Sequence, residues 1–367
     1  MPAVTSKIDS IQALRAIAVI LVVYAHSIDS SIEVFVTAKQ HKFYYLENWG
    51  SIGLDLFFVI SGFIMTRIIH SYEKGRGWKL FAYKRALRII PLYWGISLVA
   101  ILLISRTYHI KLATFVKTLF FFPIFESEFE FPVIGAGWSL SYEMYFYLLI
   151  TIVLLFHTQK PQSVVLTVVF CLSLAGLFFD STSVLLRFLS SPILIEFALG
   201  IGCGLVYDNF LSTTLLFHTI AVISFCVGLF GMVITIFFDY GTISEAEAVT
   251  SNNYLAGLRS VVWGVPCAFF LLGCVLLERL YSIDVLLILI RIGDASYSNY
   301  LLHGLLISFT HNTILNLNIG ENTYIFSLLF LCTVVSLIMY YYVEKPMTTK
   351  LNNYFFPKKV IVTSNSA

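Results

Sequence analysis

The chain reads as a succession of apolar runs, each near the length that crosses a bilayer, separated by short polar stretches. Ten runs are long enough to span as helices: about 11–28, 52–71, 89–105, 140–156, 162–179, 185–207, 216–238, 259–278, 294–312 and 323–343. A hydrocarbon core about 30 Å thick needs roughly 20 apolar residues at 1.5 Å rise each. The runs lack the two-residue alternation of barrel strands, so they predict helices. An eleventh stretch, Leu112 to Phe125, is short and interrupted by Lys117 and Pro123, and it reads as a helix lying at the outer interface. The expected architecture is an all-α polytopic membrane protein, about ten transmembrane helices around a polar cavity. No internal repeat or Gly/Ser/Pro-rich linker divides the chain, so 1–346 reads as one membrane domain and 347–367 as a cytoplasmic C-terminal tail, with Glu344, Lys345 and Pro346 as the stop that closes the last span.

Composition agrees with the pattern. Of the 367 residues, 58% are hydrophobic and 12% charged, with a mean hydropathy of +0.86, whereas soluble domains carry about a quarter charged residues. A soluble enzyme, a nucleic-acid binder and a disordered regulator are thereby excluded. The net charge of +2 says little; the placement of the charges says more. With ten spans and a cytoplasmic N-terminus, 16 of the 23 Lys and Arg fall on the inner side, which puts both termini in the cytoplasm. Counting Leu112 to Phe125 as a span abolishes that asymmetry. The six cysteines form no CxxC pair and read as small core residues. The first run carries Arg15 and His26 and lacks an A-x-A site, so it reads as a retained span rather than a cleaved signal.

An ionisable side chain within a span costs a few kcal/mol at least, so each one calls for a partner or a task. Arg15 and His26 lie eleven residues apart in the first span, about 16.5 Å in rise and within about 20° in direction, so they share one stripe at two depths. Asp55 enters the second span from the outer side at about the depth of His26. A carboxylate beside an imidazole fixes its tautomer and raises its basicity, as a general base requires. Glu143 likewise starts the fourth span, and Trp138, Tyr142, Tyr145 and Tyr147 around it fit an interfacial aromatic belt, the favoured reading, or a sugar-stacking platform. In the ninth span Ser296, Tyr297, Ser298, Asn299 and His303 form a polar stripe that is expected to face the interior, as a hydrogen-bond network or a catalytic contribution. At the inner side Arg85 and Arg88 are three residues apart on one helical face. They suit either a grip on one anion or ordinary inner-side positive bias.

Six segments taken in order carry a resemblance. RAIAVILVVYAH from Arg15 to His26, GLDLFFVISGF from Gly53, RALRIIPLYW from Arg85, WSLSYEMYFY from Trp138, DASYSNYLLH from Asp294 and VEKP at Val343 together resemble the acyltransferase-3 family. These are polytopic bacterial enzymes of the inner membrane that O-acylate exopolysaccharides, O-antigens and Nod factors, and the likeness is greatest to short exopolysaccharide acetyltransferases without a fused extracytoplasmic domain. The resemblance implies a catalytic His26, an essential Arg15, functional acids at Asp55 and Glu143, and an acyl-CoA element at Arg85 and Arg88, with acetyl-CoA as donor and no metal. Ala16 departs from the usual Gly after the Arg.

On this reading acyl-CoA binds from the cytoplasm at Arg85 and Arg88 and presents its thioester near His26, which activates an acceptor hydroxyl or carries the acyl group itself. Asp55 or Glu143 is expected to hold the imidazole. The competing reading is a glycolipid transporter, because buried His, Asp, Glu and Arg also build proton relays.

Overall fold

The computed structural model describes residues 8–35, 49–72, 77–104, 110–124, 126–179, 181–209, 215–238, 241–281, 283–314 and 319–356. Among these residues there is no β-strand. The long helices are α1 (Asp9–Val34), α2 (Ile52–Ile69) and α3 (Gly77–Ile104), then the short α4 (Leu112–Phe120), α5 (Gly137–Leu155) and α6 (Pro161–Phe178). They continue as α7 (Val184–Leu189), α8 (Leu194–Asn209), α9 (Leu215–Ile234), α10 (Asn253–Tyr281), α11 (Leu287–Asp294), α12 (Ser296–Ile314) and α13 (Glu321–Phe355). Nine segments among the described residues are long and apolar enough to cross a membrane, with α7 and α8 together making one of them. The tenth pass is α12, which has the length, 19 residues, but carries the polar stripe.

The chain is a multi-pass membrane protein, and its passes alternate in direction. One end of the bundle, here the lower end, holds the start of α1, where the backbone N–H groups of Asp9 and Ser10 donate to the Glu278 carboxylate of α10 at 2.8 and 2.9 Å. The first N–H groups of a helix have no partner within it, and Glu278 supplies one from across the bundle. Ten passes return α13 to the same lower end. The upper end holds the end of α1 and the start of α2.

The helix α4 is nine residues long, about 13 Å, and cannot span. Its Lys117 is buried and donates to Glu126 Oε2 at 2.9 Å, and burial pushes the Lys117 ammonium below its ordinary range and the Glu126 carboxyl above its own. Phe121 closes the helix in the left-handed conformation at φ 67°, held by its ring against Tyr93.

Two sequence expectations change. The helix does not stop at Glu344–Pro346. A π-type turn over Tyr340–Glu344 absorbs the missing proline N–H and the helix runs on to Phe355, while 357–367 lies outside the described residues. The aromatic residues of α5 are core rather than belt: Trp138, Tyr142, Tyr145 and Tyr147 are all buried, with Tyr142 packed on Phe188 at 4.7 Å and Tyr145 donating to the Leu189 carbonyl. Phe188 and Leu189 of α7 and Phe197 of α8 pack on Tyr142, Tyr145 and Phe146 from one side. All six cysteines are free thiols, and Cys203, Cys267 and Cys332 are buried.

Candidate functional site

The polar residues of α1, α2, α3, α5 and α12 gather into two cavities, one above the other. The lower one has about 740 Å³ of space, open solvent included, and is lined by Arg15, Arg85 and Arg88, with Glu143, Ser61, Tyr147 and Ser296. Its upper walls are apolar: Leu54, Phe57, Phe58 and Leu140. Arg15 Nε donates to Ser296 Oγ at 3.1 Å. The Glu143 carboxylate accepts from Ser61 Oγ at 3.0 Å and from the Tyr147 hydroxyl. Arg85 lies near the rings of Phe81 and Tyr147, yet its Nε and one Nη are buried with no acceptor among the described residues. Buried guanidinium N–H groups without a partner are costly, and an anion entering the cavity satisfies them. Three guanidiniums against one carboxylate leave this cavity cationic.

The upper cavity is a broad basin of about 2070 Å³ that includes open space, lined by His26, Asp29, Glu33, Trp138, Arg259, Tyr300 and His303 among others. His26 is half exposed to it, at 53% of its side chain. Its Nδ1 meets Asp29 Oδ2 at 3.0 Å, so the proton on Nδ1 is held by the carboxylate and Nε2 carries the lone pair. The ring stacks on His303 at 5.2 Å between centroids. His303 is buried, and its Nδ1 donates to the Asn299 carbonyl at 3.2 Å.

The sequence placed Asp55 or Glu143 beside His26; the structure puts neither there. Asp55 is fully buried and forms a two-bond pair with Arg259, from Nε and Nη2 at 2.9 Å each. The remaining donors of Arg259 reach the carbonyls of Ser51, Ile243 and Ser244, so all five are committed within the protein. Glu143 belongs to the arginine cavity below. The partner of His26 is Asp29, three residues on in the same helix, a spacing that places two side chains on one face and was visible in the chain. The polar stripe of α12 also divides: Ser296 and Tyr297 line the lower cavity and His303 the basin, while Ser298 donates to the buried Glu344 and, like Asn299, lines neither. Glu196, buried beside the Asp55–Arg259 pair and accepting from Ser260 Oγ at 3.2 Å, was missed although it sits within an apolar run. Among the described residues no group of three or more His, Cys, Asp or Glu is placed to hold a metal ion.

A helical membrane bundle with charged residues gathered into two adjoining interior cavities is a membrane protein built around chemistry inside the bundle. The chain belongs to the acyltransferase-3 family, whose acyltransferase domain matches residues 8–341, and it is an acyltransferase, which decides against the transporter. It is 28% identical over 304 residues to the exopolysaccharide production protein ExoZ of Rhizobium meliloti (strain 1021), a match covering 81% of this chain and 89% of that protein. It is 26% identical over 329 residues to the O-acetyltransferase OatA of Staphylococcus aureus (strain NCTC 8325 / PS 47), covering 82% of this chain and 53% of that longer relative. No solved structure matches the chain.

Proposed function

We propose that this acyltransferase moves an acyl group, acetyl in the first instance, from acyl-CoA to a hydroxyl of a cell-surface polysaccharide or its lipid-linked precursor. It would do so in the bacterial inner membrane, with both termini and the arginine cavity on the cytoplasmic side. The observation that carries this reading is the back-to-back arrangement of the two cavities: buried, unsatisfied Arg85 donors below, and above them an imidazole held by Asp29 and half exposed in the basin. The relatives' names point the same way, one to exopolysaccharide production and one to O-acetyl transfer.

In this mechanism Arg85 and Arg88 hold the phosphates of the donor at the lower mouth and Arg15 meets the arm leading to its thioester. His26 Nε2 takes the proton of the acceptor hydroxyl as its oxygen attacks the thioester carbonyl. The C–S bond breaks, CoA leaves as thiolate, and the imidazolium returns the proton to sulfur. Asp29 stabilises the imidazolium, His303 supports the ring from below, and Glu143 fixes the Arg-lined wall through Ser61 and Tyr147.

The test uses purified protein, labelled acetyl-CoA and a polysaccharide acceptor, with free CoA and labelled glycan as readouts. His26→Gln keeps polarity but cannot shuttle the proton, so transfer should fall by roughly 10²-fold or more. Arg85→Ala should mainly raise the KM for acetyl-CoA, and Arg85→Lys should recover only part of it, lacking the planar fork. Near wild-type transfer by His26→Gln removes the base from the mechanism; absence of acceptor-dependent CoA release by the wild type removes the reading itself.

A further inference from the structure

Among the described residues, two, Leu54 of α2 and Tyr300 of α12, line both the arginine cavity and the histidine basin. Each therefore presents one surface to each cavity and stands in the wall between them. Tyr300 is buried, and its hydroxyl is latched from the start of α5: it donates to the Ala136 carbonyl at 3.1 Å and meets Ser139 Oγ at 2.6 Å. Its ring rests edge-on against Phe57 at 6.0 Å on one side and lies 5.7 Å from the His303 ring on the other. Ring and latch thus fix the side chain across the gap from three helices.

The two sides of this wall differ in what they admit. The basin is wide, open and lined by carboxylates and imidazoles, so it fills with water. The upper part of the arginine cavity, behind the wall, is lined by Leu54, Phe57, Phe58 and Leu140, with the Ser139 hydroxyl engaged by Tyr300, and offers water few partners. A thioester exposed to the basin beside a general base faces a competing reaction: a water oxygen attacks the carbonyl, the C–S bond breaks, and free acid and CoA–SH are released with the acyl group lost. On the acyltransferase reading above, on which this inference rests, the protein has to suppress that loss.

We propose that Tyr300, with Leu54, is the water barrier between donor and acceptor sites: a positioning residue that keeps the thioester on the arginine side until an acceptor hydroxyl, rather than water, takes the acyl group at His26. The test compares CoA release without acceptor to acyl transfer with acceptor. Tyr300→Ala opens the wall, and the ratio of hydrolysis to transfer should rise roughly tenfold or more. Tyr300→Phe keeps the ring and loses the latch, so its rise should be smaller, and Leu54→Ala should open the facing half. If Tyr300→Ala does not fold, Tyr300→Phe combined with Ser139→Ala and the Leu54→Ala variant carry the same comparison. A ratio that stays at the wild-type value while both rates fall together makes Tyr300 ordinary packing and overturns the proposal.

A second readout needs no activity. With the six native cysteines replaced and Ser61→Cys introduced into the arginine cavity, a membrane-impermeant thiol reagent is added from the basin side. Labelling should be slow with Tyr300 present and roughly tenfold faster in the Tyr300→Ala background, as water access to the thiol rises. Equal rates in the two backgrounds overturn the barrier. An inactive wild type that still shows the difference in labelling would sink the functional reading and leave the wall standing.

Discussion

Arg259 and Asp55 show what a single charged residue demands of this fold. Both are almost entirely buried, and the guanidinium is satisfied at every donor by one carboxylate and three backbone carbonyls. Removing one partner strands the other charge in a medium that cannot solvate it, which costs about 3–5 kcal/mol. Arg259→Ala and Asp55→Asn should therefore each lower the thermal unfolding temperature in detergent markedly. The double variant Asp55→Asn with Arg259→Met should lose less than the sum of the two, because no lone charge remains. Single variants as stable as the wild type would show that the pair anchors nothing. The resemblance assigns Asp55 a functional role, and this measurement separates activity lost through unfolding from activity lost through chemistry. His26 differs in kind: half exposed, bonded to Asp29 and stacked on His303, it is placed to meet a ligand rather than to hold the bundle together.

At the level of the helix, α2 carries Leu54, Asp55, Phe57 and Ser61, so its seating sets both cavities. It lies against α8 at backbone contact: a Cβ added at Gly62 would fall 2.1 Å from the Phe197 carbonyl oxygen, and one at Gly200 would fall 2.0 Å from that of Val59. Small residues allow such an approach where lipid offers no hydrophobic drive for helices to associate. Gly62→Ala should cost about 1–3 kcal/mol or more, since the obstacle is backbone and cannot rotate away. Gly202→Ala on the same helix α8, with nothing within 4 Å of the new Cβ, should be neutral or slightly stabilising. Equal thermal stabilities for the two variants would mean that α2 and α8 do not meet as described. A π-type turn at Ser260–Gly264 directly follows Arg259, and such turns gather where a helix has to re-aim side chains.

For the molecule as a whole, ten passes bring the start of α1 and the end of α13 to one end, with α4 and the segment after α9 at the other. The positive charge of the chain gathers at the first of these ends, as cytoplasmic loops do. Reporters fused near Glu128 and near Glu247 should therefore be extracytoplasmic, and one after Phe355 cytoplasmic. A cytoplasmic reporter at Glu128 would add a crossing before α5 and reverse the direction assigned to acyl transfer.

The sequence alone determined the spans, the presence of a helix at Leu112–Phe120 too short to cross, and the depth of each charged residue along its own helix. These are local properties: a bilayer tests every 20-residue window for apolarity by itself, and rise per residue fixes depth. It also carried the six segments that mark the family, and the His26–Asp29 spacing could have been read with them. Which helices meet was a different matter. Asp55 and Arg259 are 204 residues apart, and His26 reaches the His303 ring from the other end of the chain. Glu143, close to His26 in depth on paper, faces a separate cavity because α5 packs toward α3 and α2. Tyr300 lies inside the DASYSNYLLH segment but was not singled out there, since a tyrosine in a span is unremarked until it is found with a cavity on either side. Depth along a helix is fixed by the chain's own geometry, whereas the partner of a buried polar group is fixed by where the other helices come to rest, and only the tertiary structure decides that.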